Sequence, residues 1–112
     1  MGGFIRGDVV VIEFVFSDFT GTKRRPAFVV ADLAGDDIIL CQITSRARTD
    51  KYSINLEDED FISGKLSTKS VVRPNKIFTA EKSMIAYTAC KISEGKSTEI
   101  IETIIDVIGG KI

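Results

Sequence analysis

The sequence of 112 residues has no histidine and no tryptophan, and only two prolines and two cysteines. Without histidine it cannot form a two-histidine nuclease centre, a hydrolase triad with a histidine base, or a histidine-ligated zinc site. The two cysteines, Cys41 and Cys90, lie in apolar, strand-like sequence and lack metal-ligand spacing. We therefore expect two free, largely buried thiols in a cytoplasmic protein, with neither a metal site nor a cofactor.

A long apolar run and a strong net charge are also absent. No apolar run approaches the roughly 20 residues that a membrane-spanning helix needs, so no membrane segment is expected. The net charge is −1 and the pI is about 5.4, so nucleic acid could be bound only through a local patch of cations. The length and the hydrophobic content of 44% indicate one domain over residues 1–112, with a modest core that dimerisation would help to stabilise.

Alternation of apolar and polar residues predicts a chain made mostly of short strands. We expect strands over residues 9–16, 26–31, 38–45, 52–56, 70–73, 76–79 and 87–92. The strand at residues 26–31 is apolar on both faces and should be central in the sheet. Residues 61–67 are predicted to be irregular, Pro74 should stop one strand, and Thr79 should cap a short helix over residues 80–85.

A longer helix is predicted only at the C-terminal end. Ser97 is its expected N-cap, and the pair Gly109-Gly110 is expected to end it. Isoleucines between these ends form an apolar stripe at helical spacing, which should pack on the sheet and is also a candidate dimer contact. They are Ile100, Ile101, Ile104, Ile105 and Ile108. The elements together predict a mainly β fold, a small bent antiparallel sheet or barrel with one C-terminal α-helix.

Three adjacent cations, Lys23, Arg24 and Arg25, precede Pro26 and the apolar strand. Pro26 restricts Arg25 to an extended conformation. We expect a loop that places the three charges at the start of a strand. There they either bind a phosphate or are simply solvated.

Four segments, taken in order, resemble the MazF/PemK family of toxins from toxin–antitoxin pairs. They are residues 6–10 (Arg-Gly-Asp-Val-Val), residues 21–30 with Arg-Arg-Pro-Ala-Phe-Val-Val at their end, residues 41–45 (Cys-Gln-Ile-Thr-Ser) and residues 70–79 (Ser-Val-Val-Arg-Pro-Asn-Lys-Ile-Phe-Thr). With the C-terminal helix, the resemblance covers nearly the whole chain. It implies an SH3-like β-barrel with a C-terminal helix, assembled as a homodimer. It also implies a metal-independent endoribonuclease that cuts single-stranded RNA, chiefly mRNA, and is neutralised by a cognate antitoxin.

The same resemblance implies roles for individual residues. Arg25 matches the catalytic arginine of the family, and Thr44 matches its catalytic threonine or serine. Ser70 and Arg73 match a strand that lines the active groove in the PemK-like branch. Asn75 stands where that branch has an acidic residue proposed as the base. The residues expected to bind RNA are Lys23, Arg24, Arg46, Arg48, Ser70, Arg73 and Asn75.

RNA is cut in such enzymes when the 2′-hydroxyl attacks the adjacent phosphate. Arg25 is expected to stabilise the five-coordinate phosphorus, because its planar fork of donors matches phosphate oxygens, and it is a candidate donor to the leaving oxygen. Thr44 is expected to donate a neutral hydrogen bond to a phosphate oxygen. Since the Asn75 amide takes no proton, the base is left open between Asp18 and water.

A second group of cations, Arg46, Arg48 and Lys51, follows the strand at residues 38–45. They are either solvated or form a patch that holds single-stranded RNA. Phe19 and Tyr52 are candidates for stacking on bases, although core packing is the favoured interpretation for Tyr52.

Two other functions stay open from the sequence. CcdB-like toxins, a second branch of the same fold, bind DNA gyrase and depend on a terminal Trp-Gly-Ile, whereas this chain ends Gly110-Lys111-Ile112. The other alternative is an inactive SH3-like interaction module, which stays open because Asn75 stands where an acidic residue is expected.

Overall fold

The structure of the protein is a computed structural model that describes residues 3–15, 21–46 and 49–112. These residues form seven strands and one α-helix. They are β1 (Asp8–Val15), β2 (Thr22–Asp32), β3 (Asp37–Thr44), β4 (Ile54–Leu56), β5 (Phe61–Ser63), β6 (Ser70–Glu81), β7 (Ile85–Ile92) and α1 (Glu94–Ile108). Short 3-10 helices over Asp58–Asp60 and Lys82–Met84 connect β4 to β5 and β6 to β7.

The strands join one antiparallel sheet in the order β4-β6-β3-β2-β1-β7-β5. The sheet curls strongly, because its edge strands β4 and β5 follow each other along the chain with only residues 57–60 between them. A connection of that length spans at most roughly 18 Å, so the two edges must lie near each other. The predicted mainly β fold, a bent antiparallel sheet with a C-terminal helix, is confirmed.

The core contains alternate residues of the central strands β1 and β2. Val9 and Phe28 belong to an apolar cluster that includes Ile100 of the helix. Val10 and Val29 belong to a second cluster. Because neighbours along a strand point to opposite faces, both faces of these strands are covered. The prediction of a central strand that is apolar on both faces is therefore confirmed for β2.

β2 begins at Thr22, earlier than predicted. Its first half pairs with β1, in a register that places Thr22 opposite Val15. The expectation that residues 23–25 form a loop is therefore wrong, because pairing with β1 extends the strand through all three cations. Strand geometry fixes the backbone of these cations more firmly than a loop would.

β6 passes through Pro74 without interruption, whereas the sequence predicts two strands separated there. A bulge accommodates the proline. Ile43 pairs with Val72 and Cys41 pairs with Ile77, so an advance of two residues along β3 (43 to 41) matches an advance of five along β6 (72 to 77). Pro74 has no amide hydrogen to offer to a ladder, and the bulge removes the need for one.

The predicted helix over residues 80–85 is also wrong. Thr79 lies inside β6, paired with Ile39 of β3, and cannot cap a helix. The turn after β6 is only the 3-10 helix Lys82–Met84, with Glu81 in the N-cap position. Continued pairing with β3 thus overrides the local capping pattern.

The loop before β4 is organised by Asp50. Its Oδ1 atom accepts hydrogen bonds from the backbone N atoms of Tyr52 and Ser53, both at 2.9 Å. Since these amides are occupied, β4 begins at Ile54 rather than at residue 52. Residues 61–63, predicted to be irregular, form β5 because β7 offers them a strand to pair with.

α1 begins at Glu94, and its N-cap is Ser93, whose Oγ accepts a hydrogen bond from the backbone N of Lys96. The prediction of Ser97 as N-cap is wrong, because the N atom of Ser97 already donates to the carbonyl of Ser93 inside the helix. The predicted end is confirmed, with Gly109 as C-cap. Within residues 3–15, 21–46 and 49–112, no helix is long and apolar enough to span a membrane.

The isoleucine stripe of α1 is divided between core and surface. Ile100 and Ile104 are buried, which confirms the prediction that the stripe packs on the sheet. Ile105 and Ile108, in contrast, are 60% and 69% exposed. The helix therefore keeps an apolar outer edge.

Ser93 and Ser97 provide a matched test of where the helix begins. Ser93→Ala should lower the free energy of unfolding by about 0.5–2 kcal/mol, because it removes the cap. Ser97→Ala should be neutral or stabilising, because the Ser97 Oγ is buried without a hydrogen-bond partner among the described residues. Urea unfolding followed by circular dichroism measures both, and the opposite ranking would contradict the assignment of the cap.

Candidate functional site

A groove opens where β2 and β3 separate. Their ladder ends at Ala27 and Gln42. Beyond that point β2 continues along β1, whereas β3 continues along β6 as far as Thr44, which pairs with Val71. The residue next to Ala27 is Pro26, which has no amide hydrogen, so the ladder does not extend across it.

The groove has a volume of about 780 Å³. Its walls come from residues 24–26 of β2, residues 42–46 at the end of β3, residues 65–68 before β6 together with Ser70 at its start, and residues 87–89 of β7. Val11 of β1 also lines it, between the β2 and β7 walls. Sequence-distant segments thus meet around one opening of the curled sheet.

Five of the predicted site residues line this groove: Arg24, Arg25, Thr44, Arg46 and Ser70. The predicted catalytic pair, Arg25 and Thr44, therefore share one groove. Lys23, Arg73 and Asn75 do not line it. Asp18, Phe19 and Arg48 lie outside the described residues.

The described walls of the groove carry cations and no carboxylates. Its charged lining residues are Arg24, Arg25, Arg46 and Lys65. Arg24 is partly neutralised by Glu13, whose Oε2 lies 3.0 Å from the Arg24 Nε, but both side chains are exposed and such pairs contribute little energy. Arg25 is exposed and forms no ion pair or hydrogen bond with another described residue. Among the described residues, therefore, nothing occupies its guanidinium.

Hydroxyl groups face the groove beside these cations. The Oγ1 of Thr44 accepts a hydrogen bond from the backbone N of Arg46 at 3.1 Å, which orients the hydroxyl while leaving its proton to donate. The Ser70 hydroxyl donates to the carbonyl of Thr68 at 2.8 Å. This hydrogen bond holds the bend that precedes β6.

Arg73 is half-buried behind the groove rather than in it. Its Nη1 donates to Oε1 of Gln42 over a long 3.4 Å, and its Nε has no partner among the described residues. Gln42 itself lines the groove, so Arg73 contacts the site through this amide. Asn75 is exposed on the bulge of β6.

The charge of Arg73 also acts on Asp50. Desolvation alone would raise the pKa of the Asp50 carboxyl, but hydrogen bonds from Tyr52 and Ser53, together with the charge of Arg73, outweigh it and hold the pKa below its usual value. Asp50 is therefore an ionised carboxylate that organises its own loop, and it does not line the groove.

The two thiols are free and buried, as predicted. Burial raises the pKa of Cys41 to about 12. The thiol donates a hydrogen bond to the carbonyl of Arg73. Burial raises the pKa of Cys90 to about 11. Neither thiol supplies a thiolate near neutral pH, so neither is a candidate nucleophile.

Among the lining residues that were not predicted from the sequence, two carry a charge or an exposed aromatic ring. Lys65 lies in the segment that precedes β6, and Tyr87 lies on β7 with half of its surface exposed. An aromatic residue in a short strand usually indicates core packing, so the sequence carries no signal that would have singled out Tyr87. Both residues reach the site only because the sheet curls.

Comparison with known proteins gives a consistent result. The sequence profile of the PemK-like, MazF-like toxins of type II toxin–antitoxin systems matches residues 5–108. The chain belongs to this family. No curated protein matches the sequence of this PemK/MazF-family toxin significantly.

Solved structures resemble the toxin over nearly its whole length. A MazE-MazF structure from Deinococcus radiodurans has a TM-score of 0.79 at 18% identity, covering 96% of this chain and 98% of the other. A mycobacterial endoribonuclease in complex with its cognate antitoxin has a TM-score of 0.72 at 15% identity, covering 96% and 95%. At these identities the likeness establishes a shared fold.

Proposed function

We propose that this toxin is an endoribonuclease that cuts single-stranded RNA, mRNA in particular, at short sequences and without a metal ion. The observation that carries the proposal is the groove, which holds Arg25, Thr44 and three further cations and has no acidic residue among its described lining residues. Such a surface suits a polyanion. The fold shared with a solved mycobacterial endoribonuclease supports the same function.

In the proposed mechanism the 2′-hydroxyl of the RNA attacks the neighbouring phosphorus. Arg25 binds the non-bridging oxygens and stabilises the added negative charge, since it is exposed in the groove and has no described partner that would have to be displaced. Thr44 donates a hydrogen bond to a phosphate oxygen from a hydroxyl whose orientation is fixed by the amide of Arg46. Arg25 or water then protonates the leaving 5′-oxygen.

The remaining role is that of the base that takes the proton of the 2′-hydroxyl. The described lining residues include no carboxylate, and the sequence has no histidine. Asn75 takes no proton and is exposed on the bulge outside the groove. Asp18 therefore stays the candidate base, with water as the other route. The groove supports catalysis chiefly by stabilising the phosphate.

We also propose that the toxin acts in the cytoplasm as a homodimer and is neutralised by a cognate antitoxin. An acidic or amphipathic antitoxin segment would lie over the groove, because Arg24, Arg25, Arg46 and Lys65 form a cationic surface on a chain whose net charge is −1. The shared fold with MazE-MazF and with an endoribonuclease solved in complex with its cognate antitoxin supports a protein antitoxin as the partner.

Light scattering of the purified protein measures its oligomeric state and tests the homodimer. The same preparation is then incubated with single-stranded RNA in EDTA, and the products are mapped on a gel. We expect discrete cuts at one short sequence, and loss of cutting when the antitoxin encoded by the adjacent gene is co-purified. A gyrase supercoiling assay on the same preparation separates the alternative functions. Gyrase inhibition without RNA cutting would indicate a CcdB-like binder, and neither activity would indicate an inactive interaction module.

A further inference from the structure

Tyr87 is the one aromatic residue among the described residues that line the groove. Tyr87 is 51% exposed. It is flanked in β7 by Thr88 and Ala89, which also line the groove. An exposed, flat ring in a cationic groove requires an explanation other than core packing.

The strand registers place this ring level with the catalytic end of β2. Tyr87 pairs with Val11, and Val11 pairs with Pro26, the residue next to Arg25. Residues directly opposite each other across antiparallel strands project from the same face of the sheet. All three members of this row, Tyr87, Val11 and Pro26, line the groove. Tyr87 and Pro26, at the two ends of the row, are two strand spacings apart, a distance of about 10 Å.

We propose that Tyr87 is the stacking platform for a nucleobase of the RNA, next to the phosphate that Arg25 holds. The inference rests on the proposed function and adds a substrate subsite to it. Sites for single-stranded nucleic acid combine cations along the backbone with aromatic rings under the bases, and this groove has both. Val11 is almost fully buried and lies between Tyr87 and Pro26 in the sheet, so it forms an apolar floor beside the ring.

The second tyrosine of the chain has a different environment. Tyr52 is only partly exposed, Lys51 lies over its ring at 5.6 Å from the centroid, and it does not line the groove. The chain has two tyrosines and no tryptophan. A Tyr52→Phe variant therefore leaves Tyr87 as the sole source of tyrosine fluorescence, and Tyr87→Phe leaves Tyr52 as the matched control.

The experiment uses a short RNA around a mapped cleavage site, with a 2′-deoxy nucleotide at the attacking position so that binding is measured without cutting. Tyr87→Leu should weaken binding roughly 5- to 150-fold, whereas Tyr87→Phe should stay near wild type, because stacking requires the ring and not the hydroxyl. The RNA should quench fluorescence in Tyr52→Phe and not in Tyr87→Phe. Abasic substitutions introduced one at a time should locate the base, since the abasic RNA at that position should bind wild type and Tyr87→Leu equally.

Each other result overturns the inference in a distinguishable way. If wild type binds and cuts RNA, and Tyr87→Leu binds as tightly, the subsite is wrong and the proposed function stands. If the fluorescence of Tyr87 responds to the antitoxin but not to RNA, the ring serves a protein contact instead. If wild type neither binds nor cuts RNA, the proposed function fails and the subsite fails with it. A thermal melt of each variant checks that the substitution has not altered the fold.

Discussion

Replacing Arg25 with alanine should lower the rate of RNA cleavage by roughly a hundred- to a thousand-fold, because it removes a preorganised donor from the developing phosphorane charge. Stability should change by no more than about 0.5 kcal/mol, since Arg25 is exposed and unpaired among the described residues. Single-turnover cleavage of a fixed RNA measures the first effect, and urea unfolding measures the second.

Two further variants make the Arg25 result specific. Arg25→Lys keeps the charge but loses the bidentate fork, so it should remain badly impaired. Lys23→Ala removes a cation from the same strand outside the groove, so its rate should stay within a few-fold of wild type. Equal cutting by wild type, Arg25→Ala and Arg25→Lys would remove Arg25 from the mechanism. An equal loss in Lys23→Ala would indicate general attraction of RNA rather than catalysis.

Replacing Ile100 with alanine should lower the free energy of unfolding by about 2–5 kcal/mol, since it opens a cavity in the core beneath the helix. Ile100 is fully buried in the cluster that contains Val9 and Phe28. For a domain whose total stability is about 5–15 kcal/mol, such a loss is large. Chemical denaturation at constant protein concentration measures it.

Ile105→Ala is the matched control, because it removes the same atoms five residues further along α1, on the exposed side of the helix. Ile105 is 60% exposed, so its replacement should cost no more than about 0.5 kcal/mol. Equal costs at the two positions would contradict the packing of α1. A cost at Ile105 that grows with protein concentration would instead place the outer edge of the helix in a dimer contact.

Local patterns predicted most of the strands, because alternation of apolar residues reflects burial on the two faces of a sheet. The predictions failed where pairing between strands that are distant in sequence determines the structure. Pro74 is a strand breaker by its own chemistry, yet β6 passes through it, since a bulge opposite Cys41 and Ile43 removes the need for its amide. Thr79 is a plausible cap until β3 pairs with it. Ser97 loses the capping role to Ser93, which also suits an N-cap and comes earlier in the chain.

The residues of the groove also fall into those that were predicted from the sequence and those that were not. Arg25 and Thr44 were assigned by resemblance to a family, and the structure places them in one groove. Lys65 and Tyr87 could not be found from the sequence, because they join the groove only when the loop before β6 and the strand β7 close the curled sheet. Arg73 was expected in the groove, but it does not line it, and its side chain contacts the site through a hydrogen bond to Gln42.

The chemistry of the cut ends tests the central claim most directly. Wild-type protein, freed of antitoxin, is incubated with single-stranded RNA in EDTA, and the fragments are analysed by mass spectrometry. If the RNA's own 2′-hydroxyl is the nucleophile, the upstream fragment carries a 2′,3′-cyclic phosphate and the downstream fragment a 5′-hydroxyl, as this account predicts. A 5′-phosphate with a 3′-hydroxyl, or cutting that stops in EDTA, would contradict it.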